Sequence, residues 1–226
     1  MSKDITNRAF PLYYILLLLS VSIGVQAQMN QGEPHVQDKA FEKKFINIRD
    51  LSDKFILDMK YATKENFLGQ VVYDCPKCYL RKATAQALVA AEADFLKLGY
   101  TLKLFDCYRP LSVQKKMWKI LPGTHYVANP AKGSKHNRGA AVDLTLVKVA
   151  TGEEMDMGTP FDTFSEKSHH SYQQLPKEVL ERRKLLKSIM EQHGFKAIFS
   201  EWWHYEYRPE MQSKVEDFQW ECTEKP

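Results

Sequence analysis

Two clusters of polar residues in distant parts of the chain together contain the side-chain types that a catalytic zinc ion needs. The first cluster contains His136 and Asp143, and the second contains Glu201 and His204. Two imidazoles and one carboxylate provide three ligands for a tetrahedral zinc ion and leave its fourth position open for water. Structural zinc sites are closed by four protein ligands, whereas open sites perform catalysis. The sequence therefore predicts one zinc ion per chain, bound by His136, Asp143 and His204, with Glu201 as the base.

The spacing within each cluster limits where these residues can lie. His136 and Asp143 would face opposite ways on an unbroken strand, because they are seven positions apart and side chains alternate between the two faces. Gly139 tolerates a bend that other residues resist, so we expect His136 on a loop and Asp143 on the strand that follows. By the same argument, we expect His204 in a strand and Glu201 just before it or at a bulge.

Aromatic residues surround the second cluster and should form the wall of the site. Their burial should raise the pKa of Glu201 towards the range that is useful for a general base. These residues are Trp202, Trp203 and Tyr205. Taken alone, the run from Glu201 to His204 could equally be an aromatic edge strand. Its combination with Ser134, Gly139 and Arg109 is what favours a metal site.

A single histidine is more often a packed or surface residue than a ligand. We therefore assign five other histidines to packed or surface positions: His35, His125, His169, His170 and His193.

Hydrophobic periodicity predicts three helices. Leu88, Ala91, Phe95 and Leu98 recur at helical spacing and predict a helix over 82–98, with Gly99 at its C-terminal cap. A second helix over 112–121 has Ser112 as its expected N-cap. The third helix covers 177–193.

Alternating apolar residues predict strands between these helices. The expected strands cover 55–61, 100–105, 141–147, 195–199 and 203–207. A loop is expected over 124–134, and the longer loop over 151–174 has a length that is often functional. Strands and helices do not alternate strictly, so the order of elements predicts a single α+β domain.

The first 27 residues have the features of a secretory signal peptide. Lys3 and Arg8 precede an apolar run over 11–25, and Val25-Gln26-Ala27 ends it with small residues at the first and third places. An uncleaved membrane anchor would need roughly 20 apolar residues, and this run is shorter. We therefore expect a leader over 1–27, a loose mature N-terminus over 28–44 and a catalytic domain over 45–226. The mature protein should be periplasmic or secreted, without a stable membrane span.

The cysteines and the charge limit the chemistry further. Cys75, Cys78, Cys107 and Cys222 are an even number in an exported chain, which favours disulfides, and three pairings are open. Cys75 and Cys78 could instead be half of a zinc knuckle or a redox pair, but a knuckle needs a second close pair and the sequence has none. The net charge is only +4, without a basic stripe, so nucleic acid is not an expected partner. Oligomeric state is left open.

Several motifs resemble the zinc D-alanyl-D-alanine dipeptidases, a family grouped with D,D-carboxypeptidases and the hedgehog signalling domain. They are DCYRP at 106–110, SKHNRGAAVDLTL at 134–146, MGTPFD at 157–162, EWWH at 201–204 and, near the N-terminus, MKYAT at 59–63. The likeness extends from about residue 46 to residue 207. It implies a central, mostly antiparallel β-sheet with packed helices.

The resemblance also implies a role for each matching residue. His136, Asp143 and His204 correspond to the zinc ligands, Glu201 to the catalytic base, and Arg109 to the residue that stabilises the oxyanion. The substrate-binding positions correspond to Tyr61 and Asp162 at the amino group and to Ser134 near the carboxylate. Asp106 could orient Arg109 or simply end a strand, and Tyr61 could be a core aromatic residue. The pair of Cys75 and Cys78, together with Cys107, departs from the family pattern. A bridge at Cys107 would steady the site, and a free thiol there is the alternative.

The expected function is zinc-dependent hydrolysis of D-alanyl-D-alanine and closely related small D,D-dipeptides. A resistance enzyme must destroy this dipeptide in the cytoplasm, so export favours cell-wall turnover or scavenging instead. One alternative is a peptidoglycan D,D-carboxypeptidase or endopeptidase with the same metal centre and a more open cleft. The other is a catalytically silent zinc-binding module, which the presence of both Glu201 and Arg109 disfavours.

Overall fold

Seven strands and three α-helices are present in the computed structural model, which describes residues 44–124 and 126–222. The strands are β1 (Phe45–Asn47), β2 (Ile56–Leu57), β3 (Tyr79–Arg81), β4 (Tyr100–Asp106), β5 (Ala141–Lys148), β6 (Phe195–Ala197) and β7 (His204–Tyr207). The helices are α1 (Lys82–Lys97), α2 (Leu111–Ile120) and α3 (Lys177–Gln192).

The central sheet has five strands in the order β2-β4-β5-β7-β6. Only β2 and β4 run parallel, and the other neighbouring pairs are antiparallel. A separate two-stranded antiparallel sheet pairs β1 with β3. Strand β5 lies in the middle and is buried along its length except at Lys148. The prediction of an α+β fold with a mostly antiparallel sheet is confirmed.

The helices cover the sheet with the apolar residues that predicted them. Helix α1 packs on β4, α3 packs on β6, and the two helices contact each other. Leu88 and Phe95 of α1 are fully buried, as are Leu186 and Met190 of α3. Helices α1 and α3 each end one residue earlier than predicted, at Lys97 and Gln192.

The predicted strand over 55–61 is wrong beyond its first residues. Only Ile56 and Leu57 form strand pairs, which are parallel pairs with β4. The chain then turns into a 3₁₀ helix over Lys60–Ala62, which brings Tyr61 into the interior. The predicted last strands over 195–199 and 203–207 are also shorter than expected, as Phe195–Ala197 and His204–Tyr207.

The predicted N-cap of the second helix is also wrong. Helix α2 begins at Leu111 with Pro110 at the capping position, and Ser112 lies within its first turn. The exposed backbone N–H of Ser112 donates to Asp217 Oδ1 at 2.7 Å instead. A carboxylate near a helix N-terminus is favourable, so the C-terminal segment supplies the cap that Ser112 was expected to provide.

The four cysteines form two disulfides, which confirms the expectation that they are paired. They pair Cys75 with Cys222 and Cys78 with Cys107, and no cysteine is free. The first bridge fixes the C-terminal segment, and the second joins the residue before β3 to the residue after β4.

The predicted leader and nearly all of the predicted loose N-terminus lie outside the described residues. Within residues 44–124 and 126–222, no helix combines the length and apolar character that crossing a membrane requires.

Candidate metal centre and active site

The three predicted ligands converge on one point. His136 Nε2 lies 3.1 Å from His204 Nδ1, which lies 2.9 Å from Asp143 Oδ1. The third edge, from His136 Nε2 to Asp143 Oδ2, is 3.4 Å. Ligand atoms on a tetrahedral zinc ion are about 3.3 Å apart, because each bond is about 2.0–2.1 Å long. The donor set therefore fits this ion in both type and spacing.

Local backbone structure explains why these side chains meet. His136 begins the 3₁₀ helix His136–Arg138. Its C-cap is Gly139, whose φ of 66° lies in the left-handed region. A Cβ on Gly139 would also come within 2.2 Å of the Phe45 ring, so the bend requires glycine. Asp143 and His204 are paired across β5 and β7. The expectation of a glycine bend followed by a strand agrees with this arrangement.

Both imidazoles are held by a second contact on the ring nitrogen that faces away from the cluster. His136 Nδ1 lies 2.7 Å from the carbonyl oxygen of Cys107, and His204 Nε2 lies 3.5 Å from Glu206 Oε1. Such contacts fix the ring orientation and the tautomer of metal-binding histidines. The nitrogens that face the cluster are therefore Nε2 of His136 and Nδ1 of His204.

Charge in the cluster favours a bound cation. Burial alone would raise the pKa of Asp143, but the imidazoles of His136 and His204 lower it overall. Burial alone would lower the pKa of His204, but Asp143 and Glu206 raise it to about 10. The carboxylates thus hold a positive charge at this position, whether a proton or a metal ion provides it.

Glu201 lies beside the cluster without joining it. Its Oε2 is 4.0 Å from His204 Nδ1, which is too far for a hydrogen bond. The residue precedes β7, as predicted, and is buried. Burial raises the pKa of Glu201 to about 7, although His204 opposes the shift. A carboxyl group in this range can both accept and return a proton near neutral pH.

Only one of the three predicted aromatic wall residues lines the cavity. Trp203 does so, whereas Trp202 and Tyr205 do not, which corrects the expectation for them. Alternation along the chain turns Trp202 away, and its indole N–H donates to Thr159 Oγ1 at 2.8 Å. Tyr205 packs against His170.

Arg109 is held rigidly at the edge of the cavity. Its Nε and Nη2 donate to Asp106 Oδ2 at 3.0 and 2.6 Å, and its Nη1 donates to Gln114 Oε1 at 2.9 Å. Burial alone would lower the pKa of Arg109, but Asp106 raises it overall, so the guanidinium is charged. Asp106 fulfils both alternatives considered for it, since it ends β4 and also orients Arg109.

Tyr61 and Asp162 form a hydrogen-bonded pair in the same cavity. The Tyr61 hydroxyl donates to Asp162 Oδ2 at 3.0 Å, and the Arg109 guanidinium lies 5.1 Å from the centre of the Tyr61 ring. Asp162 is the only non-glycine residue with positive φ within the described part of the chain, at 57°. Burial, together with the Asp143 carboxylate, raises the pKa of Asp162 well above its ordinary value. A cationic group bound beside Asp162 would reduce the free-energy cost of ionising this carboxyl group.

Ser134 lies on the other side of the His136 turn and also lines the cavity. Its backbone N–H donates to Asn137 Oδ1 at 2.7 Å, and its hydroxyl accepts from the Asn137 N–H at 3.1 Å. Because these two contacts leave the hydroxyl hydrogen uncommitted, Ser134 can donate to a ligand.

One cavity of about 240 Å³ is lined by every site residue predicted from the sequence except Asp106, which is hydrogen-bonded to Arg109. It is lined by the three candidate ligands and by Glu201, Arg109, Tyr61, Asp162 and Ser134. The volume is below the roughly 300–1,000 Å³ typical of pockets for drug-sized ligands.

Several residues that support the site carry no sequence signal of their own. Gln114 and Tyr73 hold Arg109 and Asp106, and the Tyr73 hydroxyl donates to Asp106 Oδ1 at 2.7 Å. Arg183 of α3 donates to the carbonyl oxygens of Met157 and His169, at 2.7 and 3.2 Å. Arg183 thereby ties the loop that carries Asp162 to a helix, at one point before Asp162 and one point after it.

The other described histidines occupy packed positions. His193 pairs with Asp94 at 2.8 Å, and the rings of His169 and His170 pack on Phe199 and Tyr205. His35 and His125 are outside the described residues.

An α+β fold with this buried His-Asp-His group and an adjacent carboxylate belongs to the class of metallopeptidases. The family model described as "D-ala-D-ala dipeptidase" matches residues 41–222. The chain therefore belongs to the D-alanyl-D-alanine dipeptidase family.

Curated relatives agree with this assignment. A D-alanyl-D-alanine dipeptidase of Escherichia coli (strain K12) is 37% identical over 150 residues, which cover 66% of this chain and 77% of the relative. The dipeptidase of Enterococcus faecalis is 35% identical over 184 residues, with 73% of this chain and 91% of the relative covered. That of Enterococcus faecium is 36% identical, with 68% and 86% covered. A solved LD-carboxypeptidase is more distant, at 24% identity and a TM-score of 0.37 over 57% of this chain and 59% of that one.

Proposed function

We propose that this protein hydrolyses D-alanyl-D-alanine, and closely related small D,D-dipeptides, with one zinc ion per chain. The observation that carries the proposal is the convergence of three ligands, a base and a fixed guanidinium on one small cavity. Relatives named D-alanyl-D-alanine dipeptidase support the choice of substrate.

His136, Asp143 and His204 would hold the zinc ion, since their donor atoms have the type and spacing that the ion requires. When bound there, zinc acts as a Lewis acid on the substrate carbonyl and lowers the pKa of water. Cys107 and Glu206 keep the two imidazoles oriented for this purpose.

Polar residues in the lining of the cavity would orient the dipeptide. Asp162, with the Tyr61 hydroxyl beside it, accepts the substrate ammonium group, whose positive charge offsets the cost of ionising a buried carboxyl. The Ser134 hydroxyl donates to the substrate carboxylate. The scissile peptide group then lies between Glu201 and Arg109.

Glu201 then carries out the proton transfers. As a carboxylate it removes a proton from the attacking water, and the resulting acid protonates the leaving amine. Arg109 donates hydrogen bonds to the oxygen that becomes negative when the carbonyl carbon is attacked. Since Asp106 and Gln114 already hold the guanidinium, little reorganisation is needed in the transition state.

We also propose that the protein is exported and acts in wall turnover or scavenging. The two disulfides support this, because such bonds persist in oxidising compartments. The test is N-terminal sequencing of the protein from its source, which should begin after Ala27 in a periplasmic or secreted fraction. A cytosolic protein that retains residues 1–27 would contradict it.

The test of the activity is a substrate panel with the purified, zinc-loaded chain. D-alanyl-D-alanine should be hydrolysed, and L,D-dipeptides and N-acetylated dipeptides should be poor substrates. Glu201→Gln should lower kcat by roughly 10²–10⁴-fold, which is the usual contribution of a general base. The exposed Glu178→Gln is the matched control. Zinc-loaded protein that hydrolyses no D,D-dipeptide would contradict the proposal, and equal turnover of N-acetylated substrates would favour the carboxypeptidase alternative.

A further inference from the structure

Three aromatic side chains from three separate loops meet over the cavity, and we call them the aromatic roof: Phe67, Tyr126 and Phe164. The rings of Tyr126 and Phe164 are stacked, with centroids 4.4 Å apart. Phe67 packs edge to face against Phe164, with ring centroids 5.2 Å apart. All three residues line the cavity that contains the candidate ligands.

The aromatic roof adjoins the hydrogen-bonded pair of Tyr61 and Asp162. Phe67 packs edge-on against Tyr61, with ring centroids 6.2 Å apart, and Tyr61 is hydrogen-bonded to Asp162. Phe164 follows Asp162 by two positions in the same loop. The roof therefore lies next to the residues that are proposed to hold the substrate amino group.

The chemistry of the aromatic roof is unfavourable for a longer peptide. A residue added before the dipeptide would place another peptide group against Phe67 and Phe164, whose side chains have no hydrogen-bonding atoms. A buried peptide group without partners is costly, and the stacked rings would have to separate to admit it.

We propose that the aromatic roof determines substrate length, by excluding peptides that extend beyond the amino end of a dipeptide. This inference rests on the proposed dipeptidase function and deepens it. The roof acts by shape, whereas Asp162 acts by charge. Removing a roof ring should therefore admit longer substrates, and removing the Asp162 charge should not.

The test compares two substrates that release the same C-terminal residue, D-alanyl-D-alanine and the tripeptide of three D-alanines. Phe164→Ala and Tyr126→Ala should each raise kcat/KM for the tripeptide at least about tenfold relative to the wild type, with a smaller change for the dipeptide. Asp162→Asn should lower kcat/KM for the dipeptide without any gain on the tripeptide. Tyr100→Ala removes a half-buried ring at the far end of β4 and is the matched control.

The outcomes separate the roof from the underlying function. A wild type that does not hydrolyse the dipeptide would overturn the proposed function. If the wild type is active and neither roof variant gains on the tripeptide while retaining dipeptide activity, the roof proposal is overturned. It is equally overturned if Asp162→Asn alone admits the tripeptide. Tyr126 is half-buried, so its variant remains informative if Phe164→Ala does not fold.

Discussion

Arg109 directs two of its hydrogen bonds at a single oxygen of Asp106. Nε and Nη2 both donate to Oδ2, at 3.0 and 2.6 Å, while the other oxygen accepts from Tyr73 and from the Cys107 backbone. Asp106 is fully buried, so these donors take the place of water in stabilising its charge. The Asp106 carboxylate therefore links the Arg109 guanidinium to the backbone N–H of Cys107, the residue that follows β4.

This relationship predicts that Asp106→Asn impairs catalysis while the metal stays bound. The amide keeps the volume of the side chain but loses the charge that fixes the guanidinium. We expect kcat to fall by about 10–100-fold, the usual effect of changing a residue that orients a catalytic group. Steady-state kinetics and zinc content by atomic absorption measure the two effects. A variant that loses zinc in proportion to activity would show that Asp106 acts through the metal ligands instead.

The two disulfides should have different effects on the site. The carbonyl oxygen of Cys107 contacts His136 Nδ1, and the Cys107 side chain forms a disulfide with Cys78. The double variant Cys78→Ala, Cys107→Ala should therefore weaken metal binding as well as folding. The closed loop spans 29 positions, for which chain entropy predicts a loss of about 3–4 kcal/mol in unfolding free energy.

The matched control for that double variant removes the other bridge. Replacing Cys75 and Cys222 by alanine should lower the melting temperature without changing zinc affinity, since neither residue contacts a candidate ligand. Competition with a fluorescent chelator measures the affinity. Equal zinc affinity in both double variants would contradict the link between Cys107 and His136.

The metal itself should contribute to stability. Without it, the Asp143 carboxylate and two imidazoles remain buried together, and a ligand that binds only the folded state stabilises it by about 4 kcal/mol at 1,000 times its Kd. Chelation should therefore lower the melting temperature of the wild type, as differential scanning fluorimetry would record. Asp143→Ala should show a much smaller response to the chelator. An equal response in both proteins would place the bound metal elsewhere.

The sequence was sufficient to predict the local parts of the site but not the contacts between distant segments. His136, Asp143 and His204 were predictable because each lies in a short motif, and Gly139 marked the bend between two of them. The pairing of Asp143 with His204 across β5 and β7 needed the sheet register. The role of Gln114 could not be predicted either, since one buried glutamine on a helix has no pattern.

The strand predicted over 55–61 failed for a related reason. Apolar residues alternate there as they do in a strand, but a strand also needs a neighbouring edge to pair with. Strand β4 provides that edge only for Ile56 and Leu57, after which Tyr61 turns inward to reach Asp162. Pairing partners and disulfide connectivity are global properties, which alternation in one segment does not encode.

Glu92 should make the protein less stable at neutral pH than in mild acid. Burial raises its pKa to about 6, although hydrogen bonds from Thr101 and from the Leu102 N–H oppose the shift. Because the folded state binds this proton more tightly than the unfolded state, the contribution of Glu92 to stability is greatest below about pH 4.5. It decreases as the pH rises through about 6.

Glu92→Gln should therefore stabilise the protein above pH 7 by about 1–2 kcal/mol, with an advantage that disappears near pH 4.5. The glutamine oxygen can accept from the Leu102 N–H, and its amide can donate to Thr101 Oγ1, whose own hydrogen can go to the Lys54 carbonyl oxygen at 2.9 Å. Urea unfolding of the wild type, this variant and the exposed Glu178→Gln control between pH 4.5 and 8 measures the difference. If the advantage of Glu92→Gln were the same at every pH, a packing effect and not the buried charge would be its cause.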